Sequence, residues 1–380
     1  MKKMMFELYS YAMSDDKKID LTGLDSLALE SVLKLAKKHD LAHLVGYSLK
    51  SLGRSEVDHF KEFENLMYKA VGRYLKISRE LEAISSALET AEIPFIPLKG
   101  AVIRKYYKEP WFRTSCDIDI LVSGDDLHRV KDIFVSKLGY TYHSEWNYEV
   151  SFFTPQNIHI ELHHTLNDEN PNIDAVLSTV WSSAKPIEGH NYHYQMPDEM
   201  YYFYHIVHMV KHFVNGGCGI RPFMDIWVLN NNCPFDKEKR YNLLDKAGIR
   251  QFAEAAEQLS EVWFGDSEHT EITEKLERFV LTGGTYGTLE NRVAVQQAIT
   301  GGKISYILSR IFLPFDKLKL TYPNLEKHKY LFPFYQVKRW FRFFSKEKSK
   351  ESLGEVKSTA RITSEQEKAT LSLLQSLGIK

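Results

Sequence analysis

Cys116-Asp117-Ile118-Asp119-Ile120-Leu121-Val122 alternates acidic and apolar residues and then runs apolar, the pattern of a strand with one buried face. Side chains alternate across a strand, so Asp117 and Asp119 project from one side and Ile118 and Ile120 from the other. Two unit charges ~4 Å apart repel by about 4 kcal/mol at an effective dielectric near 20. Such a pair needs a nearby cation or a shared proton, and a divalent ion with hard oxygen ligands relieves it best. An Asp-x-Asp on its own is more often a turn or a solvated strand edge. Its surroundings therefore decide.

Working outward, Phe95 to Leu98 follows Pro94 as a short apolar run and leads through Lys99 into Gly100, where helical spacing begins and continues to Lys108. A glycine at a strand-to-helix turn allows close backbone approach and free N–H groups, and Lys99 adds a positive charge, so this turn suits phosphate. Downstream, Asp125 to Leu138 has helical spacing with Ser123 or Asp125 as cap. Val150 to Phe153 and Ile158 to Leu162 then read as strands. In Ile158-His159-Ile160-Glu161-Leu162-His163 the apolar residues share one face and His159, Glu161 and His163 the other. Glu161 is thus a third acid. Two such strands would set Asp117, Asp119 and Glu161 around a pair of metal ions ~3.5 to 4 Å apart, an arrangement suited to in-line displacement at phosphorus.

The flanks differ from this centre. Residues 24–52 and 57–91 carry apolar residues at helical intervals, and the helical period returns in Glu199 to Val214, Pro222 to Asn230, Phe252 to Val262, Ile272 to Leu281 and Asn291 to Ile299. Gly216, Gly217 and Gly219 make a loop among them. The expected organisation is a helical region over 1–90, an α/β core over 91–195, a helical region over 196–345, and a mobile connection with a terminal helix over 346–380. At 380 residues, 43% hydrophobic and 26% charged, the chain has the balance of an ordinary globular protein, and its net charge of −1 argues against a general polyanion-binding surface. Cys116, Cys218 and Cys233 lack metal-binding or disulfide spacing, which fits a reducing cytoplasm. Met1 to Ser14 forms no secretory apolar segment, and no run of about 18 apolar residues suggests a membrane span.

Leu98-Lys99-Gly100, then Tyr106 or Tyr107, then Arg113 before Asp117-Ile118-Asp119-Ile120-Leu121-Val122, resembles the signature of an uncharacterised bacterial nucleotidyltransferase family within the polymerase-beta superfamily. The likeness continues through Ile160-Glu161-Leu162-His163, through His208, Lys211, His212, Arg221 and Asp225, and into Leu331-Phe332-Pro333-Phe334 before Arg339 and Arg342. It covers about residues 60–345. The wider superfamily usually has Gly-Ser where this chain has Lys99-Gly100. The resemblance implies an α+β fold, with a small mixed sheet of nucleotidyltransferase type between helical regions. It also implies metal ligands and catalytic groups at Asp117, Asp119 and Glu161, with Mg²⁺ as the ion and Mn²⁺ as its substitute. Nucleotide contacts would come from Lys99, Gly100, Arg113, His208, Lys211, His212 and Arg221. The reaction would transfer a nucleoside monophosphate from an NTP to an acceptor, a small molecule, protein or RNA. A nucleotide- or RNA-binding module without turnover is the alternative.

Three features admit a plainer account. His205, His208 and His212 share a helix face, but no acid or cysteine stands at a matching interval, so packing histidines are favoured over a zinc site. Arg221 precedes Asp225 by one helical turn, so an internal ion pair competes with a phosphate contact, and Arg113 could likewise neutralise nearby acids. Residues 335–346 form a basic amphipathic helix that could meet anionic lipid or RNA; packing of its aromatic side, Val337, Trp340, Phe341 and Phe344, is favoured instead.

Overall fold

The computed structural model describes residues 2–14, 19, 24–146, 148–168, 170–342, 354–355 and 358–379. The expected connection over 346–357, except 354–355, and the end of the basic helix beyond 342 lie outside the described residues. The helical spacing before residue 91 becomes α1 (Lys2–Met13), α2 (Ser26–Lys38), α3 (Ala42–Ser51) and α4 (Phe60–Thr90). Asp25 caps α2 by accepting from the Ala28 N–H at 2.7 Å. Along α4 the stripe Ile77, Ile84 and Leu88 is buried with the sheet residues Ile118, Ile120 and Ile160, the expected result of apolar positions recurring on one helix face.

Five strands follow: β1 (Phe95–Pro97), then, after the short α5 (Gly100–Ile103), β2 (Asp117–Val122) and, after α6 (Leu127–Ser136), β3 (Thr141–Glu145), β4 (Glu149–Phe153) and β5 (His159–His163). Their order in the sheet is β1-β2-β5-β4-β3. β2 and β5 run parallel, and the other three pairings are antiparallel. Strands 35 or more residues apart in sequence thereby become neighbours, because a parallel pair requires a crossover, here made of α6, β3 and β4. Helical spacing after Gly100 lasts only one turn of α-helix before two short 3₁₀ turns, Arg104–Tyr106 and Pro110–Phe112; Pro110 opens the second.

The remaining elements are α7 (Pro171–Leu177), α8 (Val180–Ser183), the two-stranded β6 (Lys185–Pro186) and β7 (Tyr194–Gln195), α9 (Asp198–Val214), α10 (Arg221–Asn232), α11 (Lys237–Ala247), α12 (Arg250–Phe264), α13 (Glu271–Gly283), α14 (Leu289–Thr300), α15 (Lys303–Ile311), α16 (Phe315–Thr321), α17 (Phe332–Arg342) and α18 (Ser364–Ser376). The fold is α+β, a small mixed sheet within a mainly helical chain. Two compact units form: 1–209 with 220–273, and 210–219 with 274–380. The first holds the whole sheet and the N-terminal helices. In the second, the glycine loop meets residues 284–288: Gly216 and Gly217 have φ of 117° and 131°, and a Cβ on Gly287 would stand 2.2 Å from the Gly216 carbonyl. Only glycine fits either side of that contact.

A buried histidine gives this fold a pH dependence. His43 on α3 is 3% exposed and its Nε2 lies 2.9 Å from the Phe112 carbonyl. Burial, only partly opposed by that carbonyl and Asp40, lowers its pKa to about 4. The unfolded chain takes up this proton near pH 6.5, the folded protein only near 4. The contribution is thus present above 6.5 and disappears as pH falls through this window, by up to ~3 kcal/mol. Chemical denaturation at pH 7.5, 5.5 and 4.5 should show that loss, and His43→Gln should show less of it. Equal slopes in the two proteins would assign the acid sensitivity elsewhere.

Candidate active site

The parallel pairing of β2 with β5 sets Asp119 opposite Glu161 and Asp117 opposite His159. The opposite faces of the same strands, Ile118, Ile120, Ile160 and Leu162, are at most 1% exposed in the core, so burial of the apolar side fixes which way the acids point. Asp119 is 2% exposed, Glu161 is half-buried, and Lys99 arrives from the turn after β1 with its Nζ 2.6 Å from Asp119 Oδ1 and 3.4 Å from Glu161 Oε2. His163, two residues past Glu161 on the same face, places Nε2 3.2 Å from Asp119 Oδ1 and 3.7 Å from Glu161 Oε2. Its Nδ1 lies 3.7 Å from Glu149 on β4. His159 stands 3.6 Å from the other Glu161 oxygen and meets Ser151 at 3.2 Å.

The charges in this cluster are interdependent. Burial alone would lower the Lys99 pKa, but Asp119, Tyr204, Glu161 and Asp117 raise it, so its ammonium stays charged. Burial raises Asp119, with Asp117 and Glu161 adding repulsion that Lys99 and His163 only partly offset. Burial also opposes ionisation of Glu161, yet His163 and Lys99 hold it well below the usual carboxylate range. His163 is lowered by burial and raised by its bonds to the two acids, ending at about 8. At neutral pH the cluster therefore contains two acids, an ammonium and an imidazolium.

Lys99 occupies an unusual backbone conformation, with φ 47° and ψ −125°. A non-glycine residue there stores about 1–3 kcal/mol of strain, whereas glycine adopts such a φ freely. The strain is held by Tyr201, whose hydroxyl donates to the Lys99 carbonyl at 2.7 Å. Gly100 is buried, and a Cβ on it would press within 3.1 Å of the Ser115 side chain, which would have to shift by a few tenths of an ångström.

Among the described residues, Asp119, Glu161 and His163 form a group whose ligand atoms all lie within 4.8 Å of one another. His163, to which the sequence reading gave no role, is in that set, and Asp117 is not. The two carboxylates suit a divalent ion, His163 would join them as a ligand on giving up its proton, and the ammonium between the carboxylates already plays the part of a cation. The donor set therefore fits a divalent ion. A family model described as "Uncharacterised nucleotidyltransferase" matches residues 25–265. The chain belongs to that family. The match begins before the 60–345 span of the resemblance and stops short of its aromatic, basic C-terminal part. No curated protein and no solved structure matches the chain.

The other expected nucleotide contacts of this nucleotidyltransferase family member are placed differently. Arg113 is held internally: its Nε donates to both oxygens of Asp225, at 2.7 and 2.9 Å, and Nη1 to the Thr114 carbonyl at 2.7 Å. Asp225 is fully buried, which opposes its charge, yet Arg113, His205 and a 2.5 Å bond from Tyr107 keep its carboxyl below the ordinary range. Arg221 reaches Asp40, 181 residues away, at 2.7 Å, and Asp40 also meets Arg73 at 3.0 Å and Thr114 at 3.1 Å. Pairing of guanidinium and carboxylate follows geometry in the fold, not distance in sequence. His205 is buried against the Pro222 carbonyl at 3.0 Å, as a packing histidine; the His208 ring lies 6.5 Å from that of Tyr204. Lys211 and His212 belong to the second unit, Lys211 exposed and His212 half-buried.

One prediction arises at Lys99. If its ammonium fills a cation position between Asp119 and Glu161, Lys99→Met should bind free Mn²⁺ at least about tenfold more tightly, because a competing unit charge is gone. Its affinity for metal-bound NTP should fall. Paramagnetic titration of Mn²⁺ with and without NTP checks both; unchanged Mn²⁺ affinity would remove Lys99 from the cation position.

Proposed function

We propose that the chain transfers a nucleotidyl group from a metal-bound NTP to an acceptor hydroxyl. The observation that carries this reading is the Asp119–Glu161 pair on adjacent parallel strands, with a cationic nitrogen already lodged between them. Asp119 would hold the ion that arrives with the triphosphate and Glu161 mainly a second one beside the acceptor, with Asp117 on the same face of β2 and His163 fixing Asp119 by its hydrogen bond. When bound, Mg²⁺ or Mn²⁺ would supply positive charge to the phosphate oxygens and acidify the attacking hydroxyl.

The acceptor oxygen forms a bond to the α-phosphorus while the bond from that phosphorus to the β-bridging oxygen breaks, and pyrophosphate leaves with the electron pair. Of the two acids Glu161 is the one that an acceptor hydroxyl can reach, being one-fifth exposed where Asp119 is almost wholly buried beneath Lys99. Lys99 leaves Asp119 as the site loads and turns its charge toward the triphosphate, with Gly100 giving the backbone room to approach. Arg113 and Arg221 act through the fold, tying the segment before Asp117 and the Asp40 carboxylate to α10. Calorimetric titration with each NTP, with Mn²⁺ and then with chelator, tests the reading. Binding should require the ion; equal affinity with chelator present would contradict it.

A further inference from the structure

Residues 303–342 contain nine Lys and Arg against two Asp and Glu, a net charge of +7 in a chain whose total is −1. They are also where the second unit leaves apolar side chains in water. On α15, Ile304, Ile307, Leu308 and Ile311 recur at i, i+3, i+4 and i+7 and so share one helix face, yet they are 76%, 40%, 50% and 40% exposed. On α17, Phe334, Val337 and Phe341 recur at i, i+3 and i+7 and are 60%, 43% and 72% exposed. The aromatic side of this helix was expected to pack; of its described residues Trp340 is half-buried while Val337 and Phe341 are exposed, and packing falls also on Phe332, Tyr335 and Gln336, against Phe315, Tyr322 and the Leu313 carbonyl.

The end of α15 meets α17. Trp340 Nε1 donates to the Ile311 carbonyl at 2.8 Å, Arg339 donates to the carbonyls of Arg310 and Ile311 at 2.6 and 3.1 Å, and the Phe312 and Trp340 rings lie 5.7 Å apart. The last turn of α15 is thereby tied to α17. Part of the positive charge is answered within the chain: Arg310 pairs with Glu355 at 2.9 Å and Lys319 with Asp316 at 3.1 Å. Lys317, Lys327, Lys329 and Lys338 are exposed, the last beside the Tyr322 and Tyr335 rings.

We propose that α15 and α17 form a peripheral docking surface for an anionic lipid bilayer. Exposed aliphatic and aromatic side chains amid lysines match an interface whose depth is apolar and whose headgroups are negative. A second copy of this chain would bring +7 against +7. RNA would meet the charge but not the aliphatic residues, since Ile and Leu offer no π-face on which bases stack. Among the described residues no helix is long and apolar enough to cross a membrane, so attachment would be by this surface lying on the bilayer.

The test is co-sedimentation of the full chain with phosphatidylcholine vesicles, with and without phosphatidylglycerol. Partitioning should be at least about tenfold stronger with the anionic lipid and should weaken as salt rises. Ile304→Ser with Phe341→Ser should abolish most of it while leaving the circular dichroism spectrum and thermal midpoint unchanged, because both side chains are more than 70% exposed. No sedimentation with anionic vesicles, or equal sedimentation of the double variant, would overturn the proposal. So would light scattering that shows a dimer lost in the double variant, or RNA binding without lipid binding.

Discussion

Glu161→Gln is expected to lower nucleotidyl transfer by on the order of 10²-fold or more while leaving metal-dependent NTP binding within a few-fold of normal. Gln is nearly isosteric and keeps one oxygen toward Lys99, so the 3.4 Å contact can survive as a weaker hydrogen bond. Lost are the negative charge and the proton acceptor, which matter most when the acceptor hydroxyl attacks. Asp119 stays on its own strand with its closer Lys99 and His163 contacts intact. Single-turnover rates measured beside equilibrium binding separate the two effects. Near-normal transfer would make another residue the proton acceptor, with Glu149, 3.7 Å from His163, the next to test.

A comparably large effect, on stability, is expected at Asp225, which is outside the candidate metal-binding group. Asp225→Asn would leave the Arg113 guanidinium, only 12% exposed, without its counter-charge, and breaking a buried pair in this way costs about 3–5 kcal/mol. Whole domains are stable by only about 5–15 kcal/mol, so the variant should unfold at much lower denaturant. Asp225→Asn combined with Arg113→Met should recover part of the loss, because neither charge is then stranded. Denaturant midpoints of the single and double variants measure the coupling. A double variant no more stable than Asp225→Asn alone would deny the pair its structural role.

The strands that carry the acids were legible because each buries one face: β2 and β5 alternate, and their boundaries fall within a residue of the expected ones. β3 was not, since Thr141 to Glu145 is almost entirely exposed and has no apolar alternation to read. α11 was hidden likewise by its polar Lys237–Ala247 sequence. At the site, sequence placed Glu161 and His163 on one strand face and gave a role only to the acid. The position of Lys99 depends on β1 and β5 flanking β2, which no local pattern states. The Arg113–Asp225 and Arg221–Asp40 pairs span 112 and 181 residues, so the helical neighbour rule that joins Arg221 to Asp225 had no view of the competing partners.

The functional reading is tested most directly by the fate of label from α-³²P and γ-³²P NTPs incubated with the protein, Mn²⁺ and cell extract. Nucleotidyl transfer predicts α-label covalently attached to an acceptor, γ-label released in pyrophosphate, and neither outcome when the ion is chelated. Label transferred from the γ position, or α-label that never leaves the nucleotide pool although NTP binds, would contradict it.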